Sequence, residues 1–390
     1  MGVISAIGNN VEENRTSLIQ GKTGIGKAQF LNSAYAQSHP FGEVKLSNDE
    51  LRSALGVENE NHLTRTDLLA YTAFNEAVKS AGLTQEELTS FDTGFLSAST
   101  VGGMVETDAL YSDANKQGVA SPFVHAYACG SHVEHMTRHY GMRGYTTCFN
   151  TACSSSANAI MLGARLMKSG RVKRAIVGGT DALAKFAVNG FNSLQILTTK
   201  PCRPFDKNRE GLTIGEGAAY LVLEWEDDAK VSSGVELIGY GNSNDAFHAS
   251  SMSDEAIGVR KAIKDALTSG NISGQDVDFV NTHGTGTENN DRVELTGMKA
   301  ELDQIPHYTS TKSFTGHTLG AAGGIEAIFT ALSLMNNEVY ASLRCDNPIN
   351  EVAPTKEHTS DLDLHVGLSN SFGFAGNCSS LAFKKVKNVH

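Results

Sequence analysis

The chain of 390 residues reads as an α/β protein, on three observations. Short apolar runs bounded by glycine or turn residues alternate with segments of helical period, the cadence of strands and helices stacked in layers. Glycine is abundant, at 39 residues, and proline scarce, at 7, a balance that suits tight strand-to-helix turns. Hydrophobic residues make up 40% and charged residues 19%, the proportions of a chain that buries a large core.

Taken in order, residues 66–81 (TDLLAYTAFNEAVKSA) predict an amphipathic helix, with Leu69, Ala73 and Ala77 spaced four apart on one face. Thr93–Ala98 predicts a buried strand, followed by the Gly102-Gly103 turn. A helix follows Cys153, its buried face carried by Ala159, Ile160, Leu162, Gly163, Leu166 and Met167. Lys168 and Gly170 end it with a cationic last turn and a glycine stop. Residues 174–179 (RAIVGG) form the next buried strand. The cadence then repeats: a strand at 237–241, a helix at 256–269, a strand at 277–281, a long apolar helix at 320–334, and a strand at 367–372 entering a glycine-rich turn. No low-complexity linker interrupts the pattern.

The formal net charge of −11 argues against a nucleic-acid partner, since phosphate binding needs a basic surface. No stretch approaches the roughly 20 apolar residues that span a bilayer, so no membrane association is expected. The first residues lack the basic and apolar regions of a secretory leader. Met1-Gly2 meets Ala6 where a myristoylation signal wants a hydroxyl residue. Cys129, Cys148, Cys153, Cys202, Cys345 and Cys378 show no CxxC pair and no framework spacing. They are expected to be reduced thiols in a cytoplasmic protein.

Only Cys153 has a reactive setting. It stands in Asn150-Thr151-Ala152-Cys153-Ser154-Ser155-Ser156, where a strand of small residues hands over to a helix start. Backbone N–H groups at such a start favour the thiolate. An isolated thiol there is ordinarily a core residue. Three serines in the first turn, where packing would prefer apolar residues, and small neighbours that leave the sulfur approachable, favour a nucleophile.

Two histidine segments follow. His283 precedes Gly284-Thr285-Gly286-Thr287, where alternating glycine and hydroxyl residues allow close backbone approach and supply donors. His317 lies in Lys312-Ser313-Phe314-Thr315-Gly316-His317, ahead of Gly320 and Gly323-Gly324. Lys312 reads ordinarily as an exposed cation, but its place suits a buried ion pair, with Glu326 an available partner. Residues 369–376 (SNSFGFAG) end a strand in a turn whose free N–H groups suit a developing oxyanion, with Phe374 as an apolar gate. A cysteine with two such histidines suggests acyl-thioester chemistry, because sulfur is both a good nucleophile and a good leaving group.

Together these segments resemble the β-ketoacyl-acyl carrier protein synthases, the elongating condensing enzymes of fatty acid and polyketide synthesis. The resemblance runs in order through GVISAIG, TACSSS, RPFDKNREGLTIGEGA, HGTGTENND, KSFTGHTLGAAGG and NSFGFAGN, nearly the whole chain. It implies the thiolase fold, two similar halves fused in a five-layered α-β-α-β-α core. The expected halves are residues 1–230, with the nucleophile, and 231–390, with both histidines.

By the matching motifs, Cys153 would accept the acyl group. His283 and His317 would flank the malonyl group during decarboxylation and stabilise the enolate. Lys312 and Glu326 would take structural or electrostatic roles, and Asp291 would fix a loop. The backbone N–H groups of Cys153 and Phe374 would form the oxyanion hole, with the Phe374 ring gating the acyl tunnel. Thr285 and Thr287 would bind the phosphopantetheine arm. Decarboxylation supplies the nucleophile without a strong base, so neither a metal nor an organic cofactor is expected.

The resemblance also implies an acidic acyl carrier protein as partner, met through a local basic patch. Lys168, Arg171, Lys173, Arg174 and Arg65 are candidates, although a solvated helix end is the plainer reading of the first four. The chain would act as a homodimer or beside a homologous chain-length-factor subunit, and Cys153 makes it the catalytic member of any such pair. A coenzyme A-dependent thiolase is the alternative, disfavoured because thiolases use a second cysteine where this chain carries the HGTGT and KSFTGH patterns. Three departures stand out. Relatives have an additional strand before GVISAIG. Their usual Gly-Phe-Gly-Gly turn is Gly373-Phe374-Ala375-Gly376 here, adding a methyl beside the gate. Asn150 stands where an aspartate is common.

Overall fold

The apolar runs before residue 230 pair into one sheet and those after it into a second. The structure, a computed structural model, describes residues 1–116, 121, 123–229 and 234–386. The first sheet takes β1 (Gly2–Ser5), β2 (Thr93–Ala98), β3 (Thr146–Phe149), β4 (Arg174–Asp181) and β5 (Gly217–Glu224) in the order β1-β5-β4-β2-β3. The second takes β6 (Val235–Asn244), β7 (Phe279–Asn281), β8 (His307–Thr309), β9 (Val366–Phe372) and β10 (Asn377–Lys385) in the order β6-β10-β9-β7-β8. Adding five to each strand number turns the first order into the second. Directions agree too: in each sheet the first two pairings are antiparallel and the last two parallel. The expected division between residues 230 and 231 lies outside the described residues.

Six helices complete the frame: α1 (Arg65–Ala81), α2 (Ser155–Lys168), α3 (Lys185–Ser193), α4 (Ile257–Ser269), α5 (Glu288–Glu301) and α6 (Ala322–Asn336). α1 packs on β1, β4 and β5, while α4 packs on β6 and β10 with α5 beside it. α2 and α6 lie between the sheets, each touching strands of both. The result is the five-layered thiolase fold.

Local signals set the helix ends. Thr64 and Asp67 form a reciprocal capping box at the start of α1, and Gly82 ends it in the left-handed conformation at φ 67°. Leu69, Ala73 and Ala77 all face the core, as their spacing predicts. The long apolar segment at 320–334 begins as a 3-10 turn over Leu319–Ala321 before α6. Every α6 residue from Ala322 to Leu334 is buried. The window Leu319–Asn336 is also long and apolar enough to cross a bilayer, with mean hydropathy 1.3, against the expectation that no stretch would be. It reads this way because a helix flanked by two sheets is apolar all round; 89% of it is buried in the fold.

The two central helices approach closely where they meet. A Cβ placed on Gly323 would lie 2.9 Å from the backbone nitrogen of Ala157 and 2.9 Å from its methyl. At the adjacent residue, the Gly324 N–H donates to Ser156 Oγ at 2.8 Å. At the sheet edge, GVIS supplies β1 itself, pairing Gly2–Ser5 with Tyr220–Gly217. The first sheet therefore holds five strands, as the second does. Its β1 has four residues against ten in the corresponding β6.

Candidate active site

The site forms where β3 hands over to α2. Ala152 takes a left-handed conformation, φ 53°, and turns the chain so that Cys153 faces inward at 6% exposure. Ser155 holds the turn, accepting from the Thr151 N–H at 2.8 Å and donating to the Ala152 carbonyl. Ser154 lies 2.8 Å from the Thr151 carbonyl and 2.7 Å from Asn377 Oδ1. The three serines are thus fully buried stitches between elements rather than an open polar surface.

The sulfur is not a resting thiolate, as the helix-start argument expected. Burial pushes the Cys153 thiol up to about 11, against the opposing pull of Lys312 and of the Phe374 and Cys153 N–H groups. Desolvation outweighs the helix start here because Cys153 sits two residues before α2, inside the core. Those two N–H groups reach the sulfur because Gly373 lets the strand-end turn approach: a Cβ there would lie 2.6 Å from the Thr151 carbonyl oxygen. In the same turn Ala375 adopts φ 61° and is exposed, its N–H donating to the Ala249 carbonyl at 2.8 Å. Phe374 is half-buried and its ring lies 5.7 Å from that of Phe191.

The second half brings the histidines to the same point. One donor atom each from Cys153, His283 and His317 lies within 4.8 Å of the others, and the imidazoles meet edge-on at 5.2 Å between ring centres. Their hydrogen bonds fix the tautomers. Lys312 Nζ stands 3.2 Å from Nδ1 of His283, and an ammonium has only donors, so Nδ1 accepts. The Leu319 N–H donates to Nδ1 of His317 at 3.2 Å. Each neutral ring therefore carries its hydrogen on Nε2. Burial holds both well below the usual imidazole range, reinforced at each by Lys312. A cation at this cluster would need Nε2 lone pairs that the tautomers withhold, so the residues do not fit a metal.

Lys312 is buried at 1% exposure, and its ammonium bonds Glu326 Oε1. The ion-pair reading holds. Burial pushes the Glu326 carboxyl up to about 7, against the ammonium's pull. Asp291 accepts from the N–H groups of Phe205 at 2.7 Å and Gly286 at 3.1 Å, tying the HGTGT loop to the 202–206 segment. Thr285 and Thr287 lie with their hydroxyls 2.9 Å apart on that loop.

Two buried acids escaped the sequence reading. Glu294 accepts from the N–H groups of His283 and Gly284, both at 2.8 Å, and burial pushes it up to about 7. Its signal was there: Asp291 and Glu294 are spaced by three on the helix that follows the loop, where both carboxylates can turn back toward it. Asp181, at the end of β4, accepts from Ser99 Oγ, the Thr100 and Val101 N–H groups and the Gly320 N–H, all at 2.6–3.0 Å. It binds one wall of the site to the loop after His317.

Beside Cys153 opens a cavity of about 470 Å³, lined by Thr100, Val101, Met104, Phe186, Phe191 and Phe374 among others. The suggested basic patch fares less well. Arg65 is buried, 2.6 Å from Glu216 Oε1, because α1 packs its first turn against the sheet. Lys173 pairs with Asp92 at 2.8 Å and Arg174 with Glu224 at 3.0 Å. With Lys168 and Arg171 they mark the far end of α2, whose 14 residues put about 21 Å between that end and the cysteine.

Comparison with known proteins agrees with this geometry. Residues 1–229 match the family model of the β-ketoacyl synthase N-terminal domain, and residues 235–346 that of its C-terminal domain. The chain is 31% identical over 404 residues to a 3-oxoacyl-[acyl-carrier-protein] synthase 2 of Staphylococcus aureus (strain COL), covering 99% of this chain and 97% of that protein. It is 31% identical over 408 residues to the enzyme of the same name from Vibrio harveyi, with the same coverage. Among solved structures it is similar to the ishigamide ketosynthase/chain length factor, with TM-score 0.88 and 26% identity over 99% of this chain and 98% of the other. It is also similar to a ketosynthase (ApeO) in complex with its chain length factor (ApeC) from Xenorhabdus doucetiae, with TM-score 0.81 and 28% identity over 99% and 96%. Two family models that together match residues 1–229 and 235–346, and relatives covered nearly end to end, place this chain in the β-ketoacyl synthase family.

Proposed function

We propose that the protein elongates acyl chains by decarboxylative condensation, joining an acyl group on Cys153 to malonyl-acyl carrier protein. The observation that carries this is the convergence of the Cys153 sulfur with one ring nitrogen each of His283 and His317, all within 4.8 Å of one another.

In the first step the Cys153 sulfur attacks a carrier-protein thioester, and the proton leaves with the departing phosphopantetheine sulfur. In the second, malonyl thioester enters along Thr285 and Thr287. His283 and His317 donate to its carbonyl oxygen, so that loss of CO2 leaves an enolate held by two hydrogen bonds. The enolate carbon attacks the acyl-enzyme, whose oxyanion the Cys153 and Phe374 N–H groups receive. Collapse expels the Cys153 thiolate, which takes a proton from solvent. Lys312 keeps His283 in the donating tautomer, and Asp291 and Glu294 hold its loop.

The division of labour follows the halves: 1–230 supplies the nucleophile and 231–390 both histidines. The carrier protein is one partner. A second chain, a copy or a chain-length-factor homologue, is another, supported by the ketosynthase relative solved with its chain length factor. A cytoplasmic place of action goes with this chemistry.

Intact-mass spectrometry after mixing with acyl carrier proteins tests the reading. A mass increase of one acyl group is expected on the wild type and none on Cys153→Ala. Labelling that survives the substitution would refute it.

A further inference from the structure

One wall of the cavity is built from α3. Phe186 and Gly190 on the helix and Leu194 directly after it follow at a spacing of four, a single stripe along its side. All three line the cavity, and Phe186 and Leu194 remain 59% and 49% exposed. Glycine in the middle of this stripe has no local justification. After proline it is the least favourable residue in a helix interior, and here its φ is not positive. A Cβ built on it meets no atom within 4 Å. The contrast is with Gly323, where a methyl would collide with Ala157. Packing requires glycine at 323 and does not require it at 190.

What Gly190 leaves is room in a cavity part of whose lining is fixed. Thr100 and Val101 are held by Asp181 through both backbone N–H groups and the Thr100 hydroxyl. A wall tied at three points to a buried carboxylate does not retreat. We propose that Gly190 is a specificity-determining residue: the space beside its Cα sets how large an acyl chain on Cys153 the enzyme accepts. The inference rests on the reading of Cys153 as the acyl carrier.

The test compares Cys153 acylation by carrier proteins bearing an acetyl, a hexanoyl or a decanoyl chain, in wild type, Gly190→Ala and Gly190→Leu. Rates come from intact mass, and the longest chain the wild type accepts serves as the upper reference. Gly190→Leu is expected to lower the ratio of the longest-chain rate to the acetyl rate by about ten-fold or more, the discrimination typical of added methylenes in an apolar pocket. Gly190→Ala is expected to raise the melting temperature and to lower the long-to-short ratio in the same direction by about three-fold. That second variant keeps the test decisive should the leucine impair folding. Equal rates across chain lengths in both variants, or a parallel loss at every length in a folded variant, would overturn the proposal. Absence of acylation by any chain in the wild type would instead overturn the ketosynthase reading on which it stands.

Discussion

Lys312 stands between two groups it must satisfy at once, donating to Nδ1 of His283 at 3.2 Å and to the carboxylate of Glu326. The ammonium thus sets a tautomer on one side and neutralises a buried acid on the other. Lys312→Ala should leave Glu326 buried and unpaired, costing about 3–5 kcal/mol of stability. The double variant Lys312→Met/Glu326→Leu should recover most of that stability while condensation stays slow. Urea denaturation alongside a condensation assay checks both; recovery of the rate together with stability would show that the pair is only structural.

The buried thiol of Cys153 predicts an unusual reactivity profile. With the thiol near 11, only about one molecule in ten thousand carries a thiolate at neutral pH. Alkylation of Cys153 by iodoacetamide should therefore climb about ten-fold per pH unit from neutrality toward that value. Peptide mapping isolates this cysteine from the other five. A plateau near neutrality would mean that the N–H groups and Lys312 outweigh burial after all.

Glu294 accepts one backbone N–H on each oxygen, from His283 and Gly284. A glutamine would turn an NH2 group against one of those donors and leave it unpaired, at about 1–3 kcal/mol. Glu294→Gln should slow condensation while acylation of Cys153 proceeds, since the acyl-accepting turn lies in the other half. Equal loss of both steps would point to general unfolding.

Away from the site, His135 Nδ1 lies 3.0 Å from Asp67 Oδ1. The Asp67 hydrogen bond raises the histidine above its ordinary 6.5 against the opposing effect of burial. A raised folded-state value means the pair's stabilisation is complete below the unfolded value and fades as pH rises through the folded one. His135→Ala should lower the melting temperature by about 3 °C in mildly acidic buffer and by less at alkaline pH. A difference that grows with pH would reverse the assignment.

The legible parts of this protein were those where one residue type has one use. Thr93–Ala98 is a run of buried small and apolar residues and was found to the residue as β2. The four motif segments were legible because glycine, cysteine and histidine are chosen there for geometry and chemistry rather than bulk. β10 was not read: it opens Asn-Cys-Ser-Ser, and polarity hides a strand whose serines are buried but hydrogen-bonded, as Ser380 is to Asn370. β3 was legible only as an unbounded strand running into Cys153, because it lies half-exposed at the sheet edge. Asp181 and Glu294 were missed for a related reason. A buried carboxylate that accepts from backbone N–H groups and neutral side chains, as Asp181 does from Ser99 and Glu294 from Asn370, has no cationic partner to betray it in the sequence.

The crossing of α2 and α6 at Ala157 and Gly323 acts as the fulcrum of the site. Cys153 rides just ahead of one helix and His317 just ahead of the other, so the spacing of the reacting atoms is calibrated several residues away by the thickness of a hydrogen atom. Gly323→Ala would wedge the helices apart and rotate nucleophile and hydrogen donor out of range together. The injury would be felt as lost alignment in the condensation step even in molecules that remain folded. A residue that touches no substrate would then govern the rate of the reaction, because in a duplicated fold the distance between the two copies is itself a catalytic quantity.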